Sequence, residues 1–193
     1  MSTGIDKQLT DGLVRAHALE KQAIRMLEAA ETIAGDDEIA AVYRAHLLQT
    51  REHERYVAER LQRRGASPST VRDTAMEAGA LGLGALLRAM PDTPVRLATT
   101  AYAFESLEVA TYRLLRSLAE RAGDEETARV VGRILEQEEA AAELVAGTFD
   151  RALEVTLGQP PESPLTPVTP IGRPSERTGD QPHAGPQEPR RAS

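Results

Sequence analysis

Four glutamates, two histidines and a glutamine stand where one pocket could collect them: Glu20; His46, Gln49 and His53; Glu105 and Glu108; and Glu138. Intervals of three and four residues put His46, Gln49 and His53 on one helix face, and Glu105 and Glu108 on another. Buried together without compensation, such carboxylates would repel, and each alone would cost several kcal/mol. One or two divalent cations would neutralise them, with carboxylates bridging and imidazoles terminal. Carboxylate and imidazole donors suit iron or manganese, and a chain with no Cys offers no thiolate for a structural zinc site. The chemistry open to such a centre is oxidation of Fe(II) by O₂ or peroxide, or disproportionation of peroxide.

Positioning them is a task for helices. Residues 6–157 are rich in Ala, Leu, Glu and Arg, and poor in breakers. Breaks fall at Gly35-Asp36-Asp37, Gly65-Ala66-Ser67-Pro68, Met90 to Pro94, and Gly123-Asp124. They delimit long helices over about 6–34, 37–64, 93–122 and 125–157, each roughly 42 Å long at 1.5 Å per residue. A weaker fifth segment, about 69–89, holds Gly79, Gly82 and Gly84, which no strand precedes; they read as small residues for close helix crossing, not as a dinucleotide fingerprint. Helices paired first with second and third with fourth, joined by one long crossover, predict an all-α, ferritin-like four-helix bundle with a short fifth helix in the crossover.

The inward stripes are Leu13, His17, Glu20, Ile24 and Leu27; Ile39, Val42, His46, Gln49, His53, Val57 and Leu61; Ala98, Ala101, Glu105, Glu108, Tyr112 and Leu115; and Val131, Leu135, Glu138, Ala142, Val145 and Phe149. Each is apolar at its ends and polar near its middle, so antiparallel neighbours bring the polar residues to one height. Independent solvated glutamates would rarely align in this way. Glu52, Glu54, Glu139 and Glu143 read as surface residues. His17 is either a core histidine bonded to Glu20 or to a carbonyl, or a member of the site. Gln49 either joins the ligands or only hydrogen-bonds a neighbour.

Other function classes recede. Six aromatic residues and a net charge of −7 fit neither a stacking platform nor a DNA-backbone footprint, so no nucleic-acid partner is expected. No apolar run approaches the roughly 20 residues that span a bilayer, and the start has no signal-peptide core, so a cytoplasmic protein without a membrane partner is expected. Nine of the 12 prolines follow Leu157. The expected organisation is a helical domain over 1–158 and a disordered Pro-rich tail over 159–193. The tail's few aliphatic residues, Leu165, Val168 and Ile171, are not expected to anchor it to the body. They could serve as a docking element for a protein partner or shell.

At the same residues the chain resembles the YciE/YciF-type ferritin-like family of bacterial stress proteins. The matching pieces are Ala18-Leu19-Glu20-Lys21-Gln22, His46-Leu47-Leu48-Gln49-Thr50, Phe104-Glu105-Ser106-Leu107-Glu108-Val109-Ala110 and Leu135-Glu136-Gln137-Glu138-Glu139-Ala140-Ala141. The resemblance implies a ferritin-like bundle with a di-metal centre, here two iron or manganese ions per chain, in a homodimer linked to general stress response. Two positions depart from the pattern: Gln49 stands where the family often has Glu, and His53 where it usually has Gln. The Glu-x-x-His pair of ferritins is also absent, because Ala141 follows Glu138 three residues later. The leading expectation is a metal-binding stress protein acting on Fe(II) or peroxide. The alternative is a non-enzymatic bundle whose polar middle is a closed hydrogen-bond network and whose role is dimerisation or partner binding.

Overall fold

Glycines with positive φ end the first two long helices, at Gly35 (φ +64°) and Gly65 (φ +72°), where a side chain would be strained. An aspartate cap follows Gly35 at once: the Asp36 carboxylate accepts the backbone N–H groups of Glu38 and Ile39, each at 3.0 Å. The computed structural model describes residues 4–66, 93–160 and 165. Over these the protein is helical: α1 (Gly4–Ile33), α2 (Asp37–Arg63), α3 (Pro94–Arg121), α4 (Glu125–Ala146) and α5 (Phe149–Thr156). Thr93 caps α3 with Pro94 in its first turn, and Asp124 caps α4. The expected fifth segment, about 69–89, lies outside the described residues, as does the tail beyond Pro160 except Leu165.

The all-α bundle follows from how the elements pair. α1 and α2 form one hairpin, α3 and α4 another, and α1 packs on α3 while α2 packs on α4. The N-terminal half of α1 meets the C-terminal halves of α2 and α3 and the start of α4; its C-terminal half meets their opposite ends. Every adjacent pair is therefore antiparallel, and residues 67–92 link opposite ends of the bundle, as the single long crossover requires. Gly12 lets α1 and α3 approach: a Cβ there would lie 2.9 Å from Leu115 Cδ1. No described helix is long and apolar enough to cross a membrane.

The core is split. One apolar cluster gathers Met26, Leu27, Ile39, Tyr43, Leu97 and Phe104 with their neighbours. The other gathers Leu9, Leu13, Val57, Leu115, Val131 and Ile134. Between them lies a layer of buried Glu20, His46, His53, Glu105, Glu108 and Glu138.

The fourth helix is not continuous over 125–157 as its composition suggests. The Thr148 N–H and Oγ1 both bond the Val145 carbonyl, at 3.0 and 2.7 Å, and this turn closes α4. Ladder bonding resumes in α5, which Arg151 clamps by a two-pronged contact to Asp36, 2.8 Å on each prong. The break leaves Phe149 exposed, edge-on to Tyr102, rather than on the inward stripe. Leu165 departs from expectation too. It packs against the first cluster, and its N–H bonds Glu38 Oε2 at 2.6 Å, so one of the three tail aliphatics does touch the body.

At the other end Asp124 binds two arginines while capping α4. Arg64 reaches it at 2.8 Å and Arg60 at 3.4 Å; Arg60 also meets Glu126 at 2.8 Å and donates to Thr127 Oγ1 at 3.0 Å. Burial opposes the Asp124 charge, but the Thr127 N–H and the two guanidiniums hold its carboxyl below the usual range. Because Arg60 is only 7% exposed, Arg60→Ala strips a buried guanidinium from Glu126, Thr127 and Asp124 and leaves Asp124 with Arg64 alone. The expected cost is about 2 kcal/mol, seen as a lower urea midpoint at unchanged slope. An unmoved midpoint would show that the network carries no stability.

Candidate metal centre

Each long helix delivers its polar residues at mid-length, where the two apolar clusters leave a gap. α1 brings Glu20, α2 brings His46 and His53, α3 brings Glu105 and Glu108, and α4 brings Glu138; all six are 0–2% exposed. His46 Nε2 lies 3.1 Å from Glu105 Oε2 and 3.6 Å from Glu138 Oε2. His53 Nδ1 lies 2.8 Å from Glu138 Oε1 and 3.9 Å from Glu20 Oε1. Two groups of converging donor atoms result: His46, Glu105, Glu108 and Glu138, and Glu20, His53 and Glu138. Within each, the donor atoms lie within 4.8 Å of one another, and Glu138 belongs to both.

The donors are under-satisfied. Among the described residues, six buried carboxylate oxygens have no hydrogen-bond partner: Oε2 of Glu20, both of Glu105, both of Glu108, and Oε2 of Glu138. His46 Nε2 is likewise without an aligned partner, close as Glu105 is. Buried orphan acceptors on this scale are rare, because each costs about 1–3 kcal/mol, and more when charged. They are what a cation would satisfy. These buried groups could hold a metal ion, and their donor types are those of iron and manganese sites.

Without a cation, protons must balance the charge. Burial, then the Glu138 charge, pushes Glu20 up to about 8. Burial also raises Glu105 and, furthest, the wholly enclosed Glu108. Glu138 goes the other way: burial opposes its charge, but the His53 hydrogen bond and the two imidazoles hold it below the usual carboxylate range. For His46, burial opposes the cation, yet the adjacent Glu105 carboxylate outweighs it and lifts the ring to about 9.

Gln49 is half-buried and stands behind His46, with Oε1 3.4 Å from Nδ1, the nitrogen facing away from the carboxylates. Thr50 takes the inward position on that turn. His17 does not join the cluster. It bonds neither Glu20 nor a carbonyl but Glu54, Nε2 to Oε1 at 2.8 Å, and Glu54 is thereby half-buried rather than a free surface residue. Two neighbours carry roles that sequence reasoning missed. Tyr112, on the α3 stripe, donates its hydroxyl to Glu20 Oε1, and its stripe position next to Glu108 was the available sign. Gln137 Oε1 lies 2.8 Å from His53 Nε2; on sequence grounds it was only a residue beside Glu138.

Comparison with known proteins agrees with this architecture. The family described as "Domain of unknown function (DUF892)" matches residues 5–156. A crystal structure of a protein from Xanthomonas campestris pv. campestris (XCC3681) is similar at 27% identity and a TM-score of 0.64, covering 79% of this chain and 95% of that one. The crystal structure of the Escherichia coli stress protein YciF is similar at 21% identity and a TM-score of 0.59, covering 82% of this chain and all of YciF; this is a likeness of fold. The YciF-type kinship read from the four sequence pieces is met by both the family match and the shared fold.

Proposed function

Since the chain belongs to the DUF892 family, a ferritin-like, YciF-type family, we propose that it is a metal-binding stress protein holding two iron or manganese ions per chain at mid-bundle. The observation that carries this reading is the pair of donor groups sharing Glu138, lined by buried acceptors without partners. When bound, such an ion pair supplies one-electron exchange with O₂ or peroxide, which is the route to Fe(II) oxidation or peroxide removal. The protein's own residues set the conditions. Glu138 spans both groups, His46 and His53 supply one imidazole to each, and Tyr112 pins one oxygen of Glu20 and leaves the other free. The apolar clusters above and below exclude water, which strengthens every charge interaction in the layer.

Anaerobic titration of the metal-free protein with Fe(II) tests the reading. Saturation is expected near two ions per chain. The competing reading, a closed hydrogen-bond network in a non-enzymatic bundle, expects none. A chain that takes up no Fe(II) and no Mn(II) would overturn the metal-binding reading.

A further inference from the structure

The two imidazoles face the cluster through different nitrogens. A neutral imidazole has one N–H donor and one acceptor nitrogen, and a metal takes the acceptor. An amide oxygen only accepts. His53 turns Nε2 to Gln137 Oε1, 2.8 Å away, and Nδ1 to Glu138 and Glu20. His46 is reversed: Nδ1 lies 3.4 Å from Gln49 Oε1, and Nε2 faces Glu105 and Glu138. Each ring is therefore backed by the carbonyl oxygen of a glutamine.

We propose that Gln49 and Gln137 are positioning residues that fix the histidines in opposite tautomers, so that His46 offers Nε2 and His53 offers Nδ1 to the cations. The inference rests on the two-ion reading above and adds to it the atoms through which the rings bind. It also accounts for Gln49 and Gln137, which are half-buried rather than set among the carboxylates. Gln137 and Glu138 are consecutive on α4, so one turn of helix holds both edges of the His53 ring. Gln49 follows His46 by three residues on α2, so that clamp lies within one helix. The shorter contact at Gln137 makes His53 the more firmly set ring. An amide back-partner orients a ligand without adding charge to a site that already holds four carboxyls.

The test uses the full chain, ¹⁵N-labelled and loaded with Zn(II) as a diamagnetic probe. Long-range ¹H–¹⁵N imidazole spectra are assigned with His17→Gln and His183→Gln variants. His53 is expected to show a protonated Nε2 and a metal-bound Nδ1, and His46 the reverse. Gln137→Leu is expected to weaken Zn(II) binding about 10- to 100-fold and to blur the His53 pattern. Gln137→Glu keeps an acceptor at that place and is expected to preserve both. A merely structural role would leave the nitrogen pattern unchanged in both variants. Stoichiometric Zn(II) with His53 bound through Nε2, or a Gln137→Leu protein with unaltered affinity and pattern, would overturn this inference and leave the metal reading standing. A chain that binds neither Zn(II) nor Fe(II) would overturn the metal reading, and the inference with it.

Discussion

Replacing Glu138 by Ala is expected to empty both metal positions at once, with affinity for each ion falling by at least about 100-fold. Removing a partner that merely orients a ligand already costs 10- to 100-fold, and a shared charged ligand should cost more. The two donor groups have only Glu138 in common. Glu108→Ala should therefore impair one group alone, and Glu20→Ala the other. Elemental analysis after equilibrium dialysis should give about zero, one and one ion per chain for the three variants. Far-ultraviolet circular dichroism checks that each variant is still helical. A Glu138→Ala protein that retains two ions would break the assignment of a shared ligand, whatever the other variants do.

The second large effect is on stability. Metal-free protein is expected to weaken as pH rises from about 5 to 9, while protein in excess metal changes far less. Burial, then the Glu138 charge, lifts Glu20 from 4.5 to about 8, so between these two values the folded chain keeps a proton that the unfolded chain has released. Stability then falls with pH, by at most about 1.4 kcal/mol per pH unit for each such proton. His46, raised from 6.5 to about 9, contributes stability that is complete below 6.5 and lost as pH climbs through 9. Glu138 has the opposite sign, with its contribution present above 4.5 and lost in acid. The metal-free optimum should therefore lie where the Glu138 loss in acid meets the start of the Glu20 loss, at about pH 4.5 to 5. Cations that displace the protons remove this dependence and add about 2.7 kcal/mol at 100 times Kd. Melting curves at pH 5.5 and 8.5 decide the matter. The metal-free midpoint should drop on the order of 10 °C between them, and a flat metal-free curve would show that the carboxylates are not clustered as described.

The sequence revealed the fold more fully than the site's fine structure, for physical reasons. The breaks at Gly35, Gly65, Pro94 and Gly123 are local chemistry, and all four fall at helix ends. The α3 stripe was unambiguous, since Ala98, Ala101, Glu105, Glu108, Tyr112 and Leu115 are all buried. On α2 the reading slipped by one residue at two turns. Val42 and Gln49 are half-buried, while Tyr43 and Thr50 face inward, because neighbouring positions differ by only about 100° and both choices looked acceptable. The end of α4 was missed because Thr148 breaks the ladder with a local side-chain bond that no periodicity reveals. His17 to Glu54 and His53 to Gln137 are contacts between helices. No spacing within one helix could predict them.

The antiparallel arrangement of the four long helices also bears on how this chain can change length over evolutionary time. The proposed ligands on α2 and α4 sit a fixed number of residues from a capped helix start, as His46 does from Asp36 and Glu138 from Asp124. One residue inserted between cap and ligand would turn that ligand by about 100° and slide it about 1.5 Å. The ligand would leave its layer while its three partner helices stayed in place. The same insertion between residues 67 and 92, outside the stretches from cap to ligand, leaves every such distance unchanged. Gains and losses of residues among its relatives should therefore gather in the crossover and after α5, and be purged from the stretches between Asp36 and His53 and between Asp124 and Glu138.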